Sequence, residues 1–394
     1  MSNPKTLKVL YGMGLLLATS IAFPAYIKSS FLEDFVDLKW IGIFFIGVAF
    51  LALITINFFP YYIKKFSNYR LAIIILLIHM AAILLLITTH SAFGIFILFV
   101  IIETTAYLML INMDVFVERF TANPTTGRIR TVYFTFINLG WLLSPLAVGY
   151  LVGEENYRLI YLIALSFLAV MLIIMLANRK SLEDHLQYEH RRSWETLKNI
   201  LNNSNLRGIF GIAFLLELFY AVAVIYVPIY LHQTIGFDWK TIGIIFTFML
   251  LPFVFLEIPA GKLADKYAGE KKILNVGFLI LIVSVTLFFL TKSINPLLWG
   301  VILFTSRCGA ALVESMRESY FFKIVDVKEI DYINFFRNVS PLAYLTASGL
   351  GILILKFFPV QILFFFLALI LLSGFYFTGS LKKIVIKRKR GKSR

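Results

Sequence analysis

The chain has 394 residues, a net charge of +15, 60% hydrophobic against 15% charged residues, and a mean hydropathy of +0.85. So much apolar surface has no cover in water, which excludes a soluble globular protein and leaves the bilayer as solvent. A single cysteine, Cys308, inside an apolar run, excludes an intrachain disulfide and a thiolate metal site.

Apolar runs of the length a spanning helix needs follow one another along the chain at 8–27, 39–62, 70–89, 92–116, 130–153 and 157–178, then 208–232, 239–262, 271–291, 295–320, 332–356 and 359–379. They predict twelve transmembrane helices, numbered here in that order. Continuous blocks such as 71–86 argue against barrel strands, which alternate over about 10 residues. The first run has a basic lead, Lys5 and Lys8, but no cleavage site, so a retained helix is expected. With both ends placed in the cytoplasm, about 28 of the 37 Lys and Arg fall on cytoplasmic segments, a strong positive-inside bias.

The non-apolar stretch 178–207 divides the chain into a first six-helix unit (1–178), a cytoplasmic linker (179–207), a second unit (208–380) and a basic tail (381–394). Trp194, Leu197 and Leu201 at helical spacing suit a linker lying along the membrane interface. The tail suits topology anchoring and anionic lipid headgroups, and no aromatic-studded basic domain points to nucleic acid. The two units echo each other. Pro24-Ala25-Tyr26-Ile27 recurs as Pro228-Ile229-Tyr230-Leu231, Trp40-Ile41-Gly42-Ile43 as Thr241-Ile242-Gly243-Ile244, and Asn138 and Gly149 as Asn338 and Gly349. A duplicated six-helix unit predicts alternating access about a site near the bilayer midplane.

Between predicted helices 8 and 9 stands Gly261-Lys262-Leu263-Ala264-Asp265-Lys266-Tyr267-Ala268-Gly269-Glu270-Lys271-Lys272. It resembles the signature loop of the major facilitator superfamily, Gly-x-Leu-Ala-Asp-basic-x-Gly-basic-basic, with Ala268 inserted before the second glycine. The resemblance implies that superfamily's fold, an all-α membrane protein of two pseudo-symmetric six-helix bundles, and a conformational latch in which Asp265 faces the start of helix 5 near Arg128 and Arg130. The equivalent first-half loop, 60–70, keeps basic residues but lacks the glycines and the aspartate. In helix 5, Gly140-Trp141-Leu142-Leu143-Ser144-Pro145-Leu146-Ala147-Val148-Gly149 resembles the Gly-x-x-x-Gly-Pro-x-x-Gly-Gly motif of the superfamily's proton-coupled exporters. Ser144 and Val148 replace two of its glycines. An ordinary proline-kinked helix fits equally well.

Glu103 in helix 4, Glu217 in helix 7 and Arg307 in helix 10 fall at mid-span, where an ionisable group costs at least about 2.5 kcal/mol and needs a watery cavity or a partner. The resemblance places helices 1, 4, 7 and 10 around the central cavity. It makes Glu103 and Glu217 candidates for proton coupling, with Arg307 as their counter-charge or as the holder of an anionic substrate group. Static helix-locking ion pairs are the plainer alternative. Glu257, Glu314, Arg317, Glu318 and Arg337, with Asp114, Glu118 and Arg119, suit a cytoplasmic gate. Tyr11, Phe23, Tyr26, Tyr107, Tyr220 and Tyr226 suit an amphipathic substrate or ordinary packing, and His79 suits packing more than ligation.

No phosphate-cradling loop and no metal-spaced His/Glu/Cys cluster occurs, so no cofactor and no metal is expected. The expected function is therefore secondary transport, not catalysis: proton-coupled export of a small amphipathic compound by a monomer in a plasma membrane of bacterial inner-membrane type. Its expected partners are the small-molecule substrate, protons and membrane lipids. Uptake or facilitated diffusion of a sugar or organic acid remains open, as do a polytopic membrane enzyme and a non-transporting sensor.

Overall fold

The computed structural model describes residues 4–119, 126–152, 156–183, 193–256, 259–260, 269–325 and 330–382. Among them the principal helices are α1 (Pro4–Ala25), α2 (Ile41–Phe66), α3 (Asn68–Thr88), α4 (Ala92–Arg119), α5 (Thr126–Leu151) and α6 (Tyr157–Ala177). The second set is α7 (Ser204–Ile229), α8 (Trp239–Phe255), α9 (Glu270–Leu290), α10 (Pro296–Ile324), α11 (Ile330–Leu355) and α12 (Gln361–Leu371, extended after a break at Leu372 by Ser373–Ser380). Ten of the helices are long and apolar enough to cross a membrane, and two shorter apolar helices, Thr135–Leu151 and Trp239–Phe255, fill the places of the fifth and eighth. No strand occurs among the described residues.

Helix beginnings follow side-chain chemistry. Asn156, Asn203, Asp238 and Asn295 each cap a helix by accepting a hydrogen bond from a first-turn N–H, and Pro296 occupies the first turn of α10, where its missing N–H costs nothing. Lipid-facing residues such as Phe50, Phe93, Ile173 and Leu297 are more than half exposed, a surface no water-soluble protein carries around its whole girth. α7 is buried along nearly its full length.

The packing repeats. Contacts of α1 with α5 recur as α7 with α11, α1 with α6 as α7 with α12, α2 with α4 as α8 with α10, α3 with α4 as α9 with α10, and α3 with α6 as α9 with α12. Two principal seams join the halves, α2 against α11 and α5 against α8, and each is the image of the other under a shift of six helices. The duplication read in the sequence is therefore a pseudo-two-fold in the packing.

Three segments depart from the sequence expectation. The first apolar run ends at Ala25, and after one turn the chain forms a short buried helix, Lys28–Glu33, against α7 and α2. The predicted helix 7 ends in a π-helical turn, Tyr230–Thr234. In the linker, Ser193–Asn202 is a helix packed on α7 and α11, with Ile200 buried and Leu201 exposed. Apolar content alone signals the span and not its internal breaks.

Candidate functional site

Successive helices reverse direction, so the ends near Pro4, Phe66 and Ser380 share one face, called here the termini face, and the linkers 26–40 and 230–238 lie on the far face. The far-face halves of both seams are closed by backbone. A β-carbon added at Gly243 of α8 would lie 2.5 Å from the carbonyl oxygen of Pro145 and 3.0 Å from Cα of Gly149 on α5. One added at Gly149 would lie 2.7 Å from the carbonyl oxygen of Trp239. At the other seam, a β-carbon on Gly42 would lie 2.7 Å from the carbonyl oxygen of Ser348. Glycine is thus the residue that lets these helices touch. Gly140, in the same helix 5 motif, packs on Thr19 and Ala18 of α1, where an added β-carbon would lie 2.9 Å from the Thr19 hydroxyl oxygen. Pro145 leaves the carbonyl of Trp141 without its helical donor, and the Ser144 hydroxyl bonds back to the Gly140 carbonyl at 2.5 Å.

Inside the far-face seal lies a charged layer. Glu103 on α4 accepts a 2.6 Å hydrogen bond from Lys28 Nζ, and the two side chains are only 17% and 8% exposed. Lys28 comes from the short helix after α1 and also lies over the Phe45 ring. Glu217 on α7 accepts from Arg317 Nη1 of α10 at 3.0 Å, while Arg317 Nη2 donates to Glu318 at 3.0 Å and the guanidinium lies over Phe336. Glu314 accepts from the Tyr220 hydroxyl at 2.6 Å.

Arg307 is 3% exposed and pairs with neither Glu103 nor Glu217. Its guanidinium lies 4.9 Å from the Phe219 ring centre and 5.6 Å from that of Tyr220, and Nη1 has no hydrogen-bond partner. The partners of the two carboxylates are therefore Lys28, which lies just past the first apolar run, and Arg317, which the sequence assigned to a gate. Tyr220 stands between Arg307 and Glu314. Tyr26 packs on Phe246 and Trp141 near the far-face seal, where it lines a small cavity with Phe23. His79 is buried, with Nδ1 2.8 Å from the Thr105 hydroxyl, a packed histidine between α3 and α4.

At the termini face, Arg337 of α11 pairs with Asp114 of α4 at 3.0 Å, linking the halves. Of the signature loop, Gly261, Asp265 and Lys266 lie outside the described residues, as does Glu257, and the side chains of Glu118, Arg128 and Arg130 also lie outside the description. Gly269 holds φ +70° immediately before α9, the left-handed turn expected of a glycine there. Lys271 Nζ donates to the Gly379 carbonyl at 3.0 Å, satisfying an end group of α12, whereas Lys272 is exposed. Glu270 pairs with Lys323 at 2.5 Å and ties α9 to the end of α10.

On the far face, the Glu33 carboxylate accepts a 2.5 Å hydrogen bond from the Gln233 amide, joining equivalent linkers of the two halves. Burial, reinforced by Asp34, pushes the Glu33 carboxyl up to about 7. A state that opens this face returns Glu33 to water and to its ordinary value. The closed state then binds more protons between those two values, so low pH favours closure, and that preference is lost as pH rises through about 7. Spin labels placed across the far face should separate on average as pH rises from 5 to 8, with a shift in the open-to-closed ratio of about 70-fold. In Glu33→Gln the distance distribution should be flat with pH; a wild-type distribution that does not move would refute the linkage.

A helical membrane protein whose halves repeat each other, seal together on one face and enclose paired charges has the architecture of a solute carrier. A family model for the Major Facilitator Superfamily matches residues 9–340, and the chain belongs to that superfamily. A search of curated proteins found no match. Among solved structures, a mutant of the nucleoside transporter NupG superposes with a TM-score of 0.78 at 13% identity, covering 95% of this chain and 100% of that one. A mutant of the peptide transporter POT in complex with alafosfalin gives 0.75 at 13% identity, covering 95% and 93%. These likenesses establish the fold, and the chain is a multi-pass membrane transporter of a small-molecule substrate.

Proposed function

We propose that the chain is a proton-coupled exporter of a small amphipathic compound, working by alternating access as a monomer in a plasma membrane, with both termini in the cytoplasm. The observation that carries this reading is the state of Glu103 and Glu217: each is mostly buried and each is held by one basic side chain. Protonating such a carboxylate removes one half of a buried pair and releases Lys28 or Arg317 to move, so a proton and a conformational change become the same event. The helix 5 motif around Gly140, Pro145 and Gly149 supports export. Residues 1–178 and 208–380 would be the two rocking units, with Asp265 and Lys266 of the signature loop at the cytoplasmic gate.

Uptake of a polar metabolite is the second reading. It is favoured by the likeness to transporters of nucleosides and peptides, and it uses the same pairs in reverse.

The test is proton movement in liposomes containing the purified protein, on addition of cationic, neutral and anionic compounds. Glu103→Gln or Glu217→Gln should reduce the compound-dependent proton signal at least about tenfold. Solute flux that ignores an imposed pH gradient, with both variants active, would overturn coupling and leave a facilitator. The sign of the gradient that accelerates flux separates export from uptake.

A further inference from the structure

Three largely buried carboxylates stand on α4, α7 and α10, and each already has a partner: Glu103 has Lys28, Glu217 has Arg317, and Glu314 has the Tyr220 hydroxyl. Arg307 has none of them. Its guanidinium side chain sits 97% out of solvent and keeps one terminal nitrogen without an acceptor. Stacking on Phe219 and Tyr220 offsets only part of the cost of burying an unpaired cation. A positive charge left uncompensated by its own protein, beside two ring faces and on a helix that carries one of the ion pairs, is complementary to a negative charge that arrives from outside.

We infer that Arg307 anchors the anionic head of the transported solute, an organic monoanion whose carboxylate or phosphate meets the guanidinium and whose flat apolar body lies against Tyr220. This deepens the transport reading and rests on it. Tyr220 is a preset wall, because its hydroxyl is fixed to Glu314 at 2.6 Å. Neutral amides and esters of the same shape lack the charge that Nη1 awaits. Small inorganic anions lack an apolar body to lie against the Tyr220 ring.

The experiment is binding to the purified full-length protein in detergent, read by ligand-induced change in unfolding temperature and by tryptophan fluorescence, with naphthoate, naphthyl phosphate, naphthamide, acetate and chloride as probes. Either naphthyl anion should bind about 10- to 100-fold more tightly than the amide, and more tightly than acetate or chloride. The better of the two names the head group. Arg307→Gln should erase the preference, and Arg307→Lys, which keeps the charge but not the fork, should keep part of it. Should Arg307→Gln fail to fold, the wild-type comparison of anion with amide and the Arg307→Lys protein decide alone. Equal binding of anion and amide, equal binding of chloride and naphthoate, a preference that survives Arg307→Gln, or no binding of any naphthyl anion at millimolar concentration would each overturn the assignment. Binding that persists where proton movement is absent would count against coupling only, and proton movement without anion preference would count against this inference only.

Discussion

Replacing Gly243 with alanine should cut transport by more than about tenfold while leaving the protein folded. The added carbon would stand 2.5 Å from the Pro145 carbonyl oxygen and 3.0 Å from the Gly149 Cα, and both are backbone atoms that cannot rotate aside. Helices α5 and α8 would have to move apart by about 1 Å to restore normal contact. Overpacking of this kind costs about 1–3 kcal/mol, which is enough to shift a closing equilibrium by one to two decades. The penalty falls on the seam between halves and not on the packing within either half, so unfolding temperature should change little. Gly300→Ala, where an added carbon meets nothing within 4 Å, is the matched control. Equal flux for the two variants would mean that the seam does not close during the transport cycle.

The second large effect concerns Lys28 and Glu103. Lys28→Met should destabilise the protein by about 3–5 kcal/mol, because it leaves the Glu103 carboxylate buried and unpaired. The double variant Lys28→Met with Glu103→Gln removes both charges and should recover most of the loss. Thermal unfolding and the yield of monodisperse protein measure both. A single variant as stable as the wild type would show that the carboxylate finds water or another donor. If coupling runs through this pair, the double variant should be stable and still fail to link proton movement to solute.

The helices were legible because lipid imposes a simple rule, about twenty apolar residues per span, and runs such as 70–89 and 271–291 obey it within two residues of α3 and α9. The duplication was legible because Gly42 and its counterpart Gly243 serve the same packing need, each set against a backbone carbonyl of the other half, whereas Gly149 packs closely and its counterpart Gly349 does not. The pairing of charges was not. Glu103 takes its partner from a position 75 residues earlier, just past the end of an apolar run, and Glu217 takes its partner from 100 residues later. Nothing in local spacing distinguishes Arg307 from Arg317, which sit on one helix and differ in whether α7 offers a carboxylate at the right level. Lys28 left one signal: the stretch from Lys28 to Leu32 continues the apolar run with two serines, a composition that suits a buried turn better than a solvated loop.

The two faces are held by different physics. On the far face the seams meet through glycine backbones, proline and aromatic rings, contacts that dissolved ions scarcely touch. On the termini face the described link between the halves is Asp114 with Arg337, whose side chains are 29% and 46% exposed. An exposed pair contributes up to about 1 kcal/mol, and salt at physiological strength screens charges beyond about 8 Å. Rising electrolyte therefore loosens one door and leaves the other shut, up to about fivefold in the balance of states. A cell losing water concentrates its ions, and under such osmotic stress the carrier would rest with its termini side unlatched, so that the hydration of the compartment holding the termini becomes an input to transport.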